Sequence, residues 1–255
     1  MIKISTGAKV PLELSKGTYA LRFSKAQKLT DKFFNKISQQ FTEKDIEPDV
    51  FTKTVEDVLP SKINFKIANS TKADCEGAVV HCLNPQNTGE MNSFKIFLPL
   101  NKYDNKISIY DTNVFMHEIF HFFCEIFNPK HIAKSVKLNL STFRRYDDFF
   151  YNEYLYNKKC TDIDALKNNL LPEVLDNMPD GEKIIFLQNA RYKLKEEVYA
   201  WGIGYKYGIE NQKIHKDLIC EKIEPSDGRE FKLGEKLEIV NCFLKEILNN
   251  ARKNK

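Results

Sequence analysis

The spacing of apolar residues along the chain predicts a series of helices interrupted by a few short strands. Two early helices are predicted over residues 18–45 and 49–59, the second ending before Pro60. Short alternating or continuous apolar runs predict strands at residues 63–67, 77–83 and 93–98. Turn sequences rich in Pro, Asp and Gly separate further helices predicted over residues 162–176, 181–208 and 234–252.

One more predicted helix, residues 114–127, is apolar almost all round, which is typical of a helix buried in a protein core. Asp111-Thr112-Asn113 offers N-cap residues before it, and Asn128-Pro129 ends it. An unpaired polar group in a core costs about 1–3 kcal/mol, so polar residues in this helix need partners. These polar residues are His117, Glu118, His121 and Glu125.

The order of these polar residues, H-E-x-x-H, predicts a metal site. His117 and His121 are four residues apart, so both imidazoles lie on one face of a helix and can reach one ion. Glu118 is placed to handle a proton on a metal-bound water. The alternative is two histidines on a half-buried helix, one of them paired with Glu118. The intervening Glu and the apolar surroundings favour the metal site.

Two histidines leave such a site one ligand short, because a catalytic zinc ion takes three protein ligands and one water. Residues 122–124 lack the Gly and the third His of the metzincin extension. A carboxylate on a later helix remains, with Glu196 and Glu197 as candidates. The alternative for these two is a solvated face beside neighbouring lysines. Glu125 is expected to support the histidines or cap the helix.

With H-E-x-x-H followed by Glu197-Val198-Tyr199-Ala200, the chain resembles the gluzincins, in which a Glu on a second helix completes the zinc site. The resemblance implies Glu197 rather than Glu196 as the third ligand. The small residue after it lets the two helices approach, and Gly202 and Gly204 extend that small face.

The resemblance also implies an α+β, zincin-like fold, with a small mixed sheet before the H-E-x-x-H helix and a largely helical C-terminal subdomain. Residues 93–98 would form the edge strand that aligns a peptide substrate. The implied parts are an N-terminal helical segment, a part with the sheet and the H-E-x-x-H helix, and a helical subdomain with the third ligand, at residues 1–60, 61–128 and 129–255.

The function implied is that of a zinc metallopeptidase that hydrolyses peptide bonds in a protein substrate. One Zn²⁺ would be held by His117, His121 and Glu197, with Glu118 as general base. Tyr192 is named as the oxyanion stabiliser, from a set that the sequence cannot narrow: Tyr192, Tyr199, Tyr205, Tyr207 and His215. The alternative is a non-catalytic zinc-binding scaffold derived from a protease, against which the intact Glu118 argues.

Composition and charge limit the partners. The net charge of +4 comes from dispersed lysines, which favours solubility over nucleic-acid binding, and no apolar run is long enough for a membrane span. Six cysteines without a C-x-x-C pair favour a reducing compartment. The expected location is the cytoplasm, or another cell that the protein enters without an N-terminal signal peptide, as a bacterial effector or toxin would. The aromatic-rich residues 131–156 are expected to line a core or a cleft.

Overall fold

In a computed structural model of the protein, the described residues are 18–70, 77–81, 93–127, 162–219 and 229–253. The helices are α1 (Thr18–Ile37), α2 (Pro48–Glu56), α3 (Thr112–Ile126), α4 (Ile163–Ala165), α5 (Leu171–Asp176), α6 (Asp180–Ile214) and α7 (Arg229–Lys253). The strands are β1 (Asp45–Ile46), β2 (Asn64–Asn69), β3 (Ala78–His81), β4 (Ser93–Leu98) and β5 (Ile107–Ser108). A 3₁₀ turn, Ile109–Asp111, precedes α3, and a π-helical segment, Leu166–Leu170, joins α4 to α5. The predicted α+β composition, mostly helical with a small sheet, is confirmed. The predicted cleft segment 131–156 lies outside the described residues.

Strands β2, β4 and β3 form a sheet with β4 in its centre. β2 runs parallel to β4, with Asn64 opposite Ser93, and β3 runs antiparallel to it, with Ala78 opposite Phe97. The prediction that residues 93–98 form the edge strand is therefore wrong, because β4 is hydrogen-bonded along both sides. Among the described strands, β2 and β3 form the two edges of this sheet. β1 and β5 pair separately as a short antiparallel ladder.

The described residues divide into two compact units. One contains residues 18–70, 77–81, 93–127 and 200–219, and the other contains residues 162–199 and 229–253. The chain passes from one to the other inside α6, which is a single unbroken helix. The three-part division at residues 60 and 128 stays a prediction.

An aromatic core holds α3 in the first of these units, where α1 packs along α3. Phe51 lies between two other rings, with centroid distances of 5.1 Å to Phe33 and 5.6 Å to Phe115. On the sheet side, Phe122 meets Phe94 edge-on at 5.2 Å. Each such pair adds about 0.5–1.5 kcal/mol beyond the burial of its surface. Helix α3 is therefore held from two sides, by the α1–α2 aromatics and by the sheet.

A buried arginine fixes the end of α3. Arg22, on α1, is 5% exposed and donates from Nε to the Cys124 carbonyl at 2.5 Å. Its Nη2 lies 3.5 Å from Oε1 of Glu125. The last carbonyls of a helix have no partner within the helix, and a cation there is favoured by the helix dipole. Arg22 therefore caps α3 one turn after His121.

The second unit has an apolar core of its own, built mainly by α5, the π-helical segment and the facing sides of α6 and α7. The buried members are Leu166, Leu171, Leu175, Met178, Phe186, Leu187, Ala190, Leu194, Leu237, Ile239, Val240 and Leu244. Their spacing of three and four residues on the two long helices is that of helices packed along one apolar stripe.

The longest helix, α6, has 35 residues and therefore extends for about 52 Å. Charged residues recur along its length. In the described part of the chain, neither α6 nor any other helix has the length and apolarity needed to cross a membrane.

Candidate metal centre

Helix α3 carries the H-E-x-x-H residues in a fixed setting. Asp111 occupies the N-cap position, and Thr112 donates from Oγ1 to the Ile109 carbonyl at 2.5 Å. Asn211, on α6, donates from Nδ2 to the same Thr112 oxygen at 2.9 Å. The start of α3 is thus tied to the 3₁₀ turn and to α6, and its end is tied to Arg22.

The two histidines face each other through the nitrogens that would bind a metal. Nε2 of His117 lies 3.1 Å from Nε2 of His121. Two imidazole nitrogens bound to one tetrahedral zinc ion, at about 2.05 Å each, are about 3.3 Å apart. His117 is 5% exposed, whereas His121 is half-buried. The pair therefore has the separation and the partial access that a shared ion requires.

Glu197 lies with the two histidines. One ligand atom from each of His117, His121 and Glu197 can be chosen so that all three lie within 4.8 Å of one another. Two imidazoles and one carboxylate are a donor set that zinc takes in catalytic sites, where a fourth position stays open. The residues present therefore fit the metal that the sequence predicted.

The rival carboxylates lie elsewhere. Glu196 is 5% exposed and points about 100° away from Glu197 around α6. Lys195 is 8% exposed and Glu197 is half-buried, so the alternative of a solvated face for Glu196 and Glu197 is wrong. Burial, and then the charge of Arg191, lower the pKa of Lys195 to about 8. Glu125 is directed to Arg22, which itself caps the helix, and the supporting or capping role expected for Glu125 stays a prediction.

Gly204 allows α6 to pack closely on α3. A Cβ at Gly204 would lie 2.4 Å from the Asn113 carbonyl oxygen and 3.4 Å from Cβ of His117. One turn earlier, the Trp201 ring packs against the His117 ring with centroids 4.2 Å apart. Glu197 lies one turn before Trp201 on the same helix. Gly202, by contrast, faces open space, so the prediction that it extends the small face is wrong.

Glu118, the predicted general base, is buried beside His117. It is 5% exposed, and its Oε1 lies 3.7 Å from Nε2 of His117. The backbone of Gly77, immediately before β3, comes so close that a Cβ there would lie 2.6 Å from the same carboxylate oxygen. The carboxylate is therefore confined between a strand and a ligand of the candidate site.

The candidate oxyanion stabilisers have different settings. Tyr207 donates its hydroxyl to Asp31, and burial together with that bond raises its pKa. His215 contacts the Ser38 carbonyl through Nε2 at 2.7 Å. Both side chains are therefore bonded to groups other than the proposed metal ligands.

Three tyrosines on α6 remain. Tyr205 is buried, and its ring is tilted against that of Trp201 with centroids 5.7 Å apart, which links it to His117 through one ring. Tyr199 is 37% exposed, with Nζ of Lys195 over its ring. Tyr192 is buried, and its five-residue spacing from Glu197 corresponds to about 140° around the helix. The role of Tyr192 stays a prediction.

Three contributors to this centre were not predicted from the sequence: Arg22, Gly77 and Trp201. Only Trp201 left a signal, because it follows Glu197 by four residues and so shares its face of α6. Comparisons with protein-family models, curated proteins and solved structures gave no match to this chain.

Proposed function

We propose that the protein is a zinc-dependent metallopeptidase of the gluzincin kind, with His117, His121 and Glu197 as the metal ligands. The observation that carries the proposal is the convergence of these three side chains within 4.8 Å, beside a buried Glu118. A site that only stabilises a fold closes with four protein ligands. Three ligands with an adjacent carboxylate are suited to hydrolysis.

The chain's own residues have distinct roles in this proposal. A bound zinc ion would polarise the scissile carbonyl and acidify water near neutral pH. Glu118 accepts the proton of the attacking water and returns it to the leaving amine, which makes it general base and then general acid. The 3.7 Å distance between its Oε1 and Nε2 of His117 supports this role.

Two further side chains support the proposed reaction. Trp201 covers one side of the His117 ring, fixing its orientation and excluding water from that side. Developing negative charge on the carbonyl oxygen requires a donor, for which Tyr192 is the residue named from the sequence. Tyr205 is a second candidate because it packs against Trp201. Replacing each tyrosine by phenylalanine distinguishes the two candidates. Only the loss of the hydroxyl that donates to the carbonyl oxygen should lower kcat without affecting metal binding.

Metal binding is tested first, by mass spectrometry of the purified protein and by fluorescence. We expect one zinc per chain, lost in His117→Ala and Glu197→Ala and kept in Glu118→Gln. Trp201 is the only tryptophan of the chain. Because it packs on His117, its emission should change on metal titration in the wild type and not in His117→Ala. Equal metal binding by wild type and His117→Ala would contradict the assigned ligands.

Catalysis is tested by a proteome-wide cleavage assay that compares wild type with Glu118→Gln. New N-termini should appear with the wild type, and the variant should cut about 10²–10⁴-fold more slowly while retaining zinc. Equal cleavage by both would refute the role of Glu118. A zinc-loaded wild type that cuts nothing would instead support the non-catalytic scaffold.

A further inference from the structure

The backbone before β3 touches the side chain of Glu118. A Cβ built on Gly77 would lie 2.6 Å from Oε1, 2.7 Å from Cγ and 2.9 Å from Cδ of Glu118. All three distances are below 3.0 Å, a separation that real Cβ atoms essentially never show. Every one of the nearest obstacles belongs to a single side chain, the proposed general base.

The need for glycine at this position is spatial. The φ angle of Gly77 lies outside the left-handed region, so an alanine could adopt this backbone conformation without strain. The three atoms that would clash with a Cβ at residue 77 all belong to Glu118. Since the carboxylate is the far end of a flexible side chain, it would yield before the backbone does.

The Glu118 carboxylate has His117 as a second neighbour, with Nε2 3.7 Å from Oε1. A side chain at residue 77 would therefore displace a carboxylate that lies beside a proposed metal ligand. Proton transfer requires a heavy-atom distance of about 2.6–3.2 Å between base and water. Moving the carboxylate far enough to relieve the 2.6 Å contact would take it outside this range of distances.

We propose that Gly77 is a positioning residue for Glu118. By presenting bare backbone to the carboxylate, it lets the start of β3 form the wall that holds the general base in place. The catalytic part of this inference rests on the proposed function. The contact between residue 77 and Glu118 does not depend on it.

The contact is tested without any substrate by a double-mutant cycle of thermal stability. Gly77→Ala should lower Tm by about 3 °C when residue 118 is Glu. In a Glu118→Ala background, which removes all three obstructing atoms, the same substitution should leave Tm unchanged or raise it. Gly234→Ala, whose Cβ would meet nothing within 4 Å, serves as the control in both backgrounds.

An equal loss in the two backgrounds would overturn the inference. If Gly77→Ala fails to fold alone, folding of Gly77→Ala/Glu118→Ala supports the contact, and failure of both refutes it.

The catalytic role is tested by separating kcat from KM in the zinc-loaded enzyme. Gly77→Ala should lower kcat about 10²-fold, with KM and zinc content unchanged, because a misplacement near 1 Å has an effect of that size. In a Glu118→Gln background it should have no further effect. Wild-type kcat in Gly77→Ala, alongside an inactive Glu118→Gln, would overturn the positioning role. Full activity of Glu118→Gln would instead refute the proposed function, and the stability cycle would still decide the contact.

Discussion

Replacing Gly204 by alanine measures how closely α6 must approach α3 for the candidate metal centre to form. The added Cβ would lie 2.4 Å from the Asn113 carbonyl oxygen, about 1 Å closer than the 3.4 Å at which ordinary van der Waals contact begins. The obstacle is helix backbone, which cannot rotate away as a side chain can. We therefore expect α6 to move outwards by up to about 1 Å at this turn, with overpacking costing about 1–3 kcal/mol.

The movement reaches the proposed ligand through the helix. Trp201 and Glu197 lie one and two turns before Gly204, and metal ligands must keep their distances to within about 0.2 Å. A shift several times that tolerance should weaken zinc binding by about 10–100-fold, the range seen when groups supporting a ligand are lost. Competition with a chelating dye gives the dissociation constant, and circular dichroism gives Tm.

Gly202→Ala is the matched control on the same helix. Its Cβ would meet nothing within 4 Å, so the substitution should raise stability by about 0.5–1 kcal/mol through helix propensity and leave zinc affinity unchanged. The reasoning fails if the Gly204 and Gly202 variants bind zinc with the same affinity. It also fails if the Gly204 variant is the more stable of the two.

Three further predictions follow from separate contacts. Glu197→Ala should lose zinc, as measured by mass spectrometry, while Glu196→Ala should keep it; the reverse result would exchange their roles. The pKa of Asp111 is raised to about 6 by burial and then by the charge of Asp45, so its contribution to stability falls as pH rises through 6. Asp111→Asn should therefore add about 1–2 kcal/mol at pH 8 and nothing below about pH 4, measured by urea unfolding, and a pH-independent gain would contradict this. Arg22→Met should lower the free energy of unfolding by about 1–3 kcal/mol because it removes the hydrogen bond to the Cys124 carbonyl at the end of α3. An unchanged urea midpoint would exclude the capping role.

Local sequence patterns predicted most of the helices and strands, because the apolar spacing within a helix or strand involves only residues close together in the sequence. Apolar spacing predicted α3 at residues 114–127 and β4 at residues 93–98, close to the observed Thr112–Ile126 and Ser93–Leu98. The order of strands could not be found in this way. In β4, buried Phe94 and Ile96 alternate with exposed Lys95, and this one-faced pattern is the same for a central and an edge strand.

The candidate centre shows the same limit. The histidine pair follows from spacing within one helix, whereas the choice between Glu196 and Glu197 depends on the rotation of α6. The resemblance to the gluzincins favoured Glu197, and the structure brings Glu197 to the histidines. Gly77 could not be singled out, because its role depends on contact with a side chain 41 positions later in the sequence. Nothing in its neighbours indicates that contact.

The hydrogen bond from Arg22 to Cys124 has a consequence for the order in which the protein matures during synthesis. It joins residues 102 positions apart, and the arginine leaves the ribosome first. At a translation rate of about 5–20 residues per second, Cys124 is synthesised on the order of ten seconds after Arg22. When α3 emerges, the residue that donates to its C-terminal end has already been synthesised. The helix with both histidines can therefore form before the residues around Glu197 are translated, and Glu197, the third proposed ligand, would join them in a later, separate step.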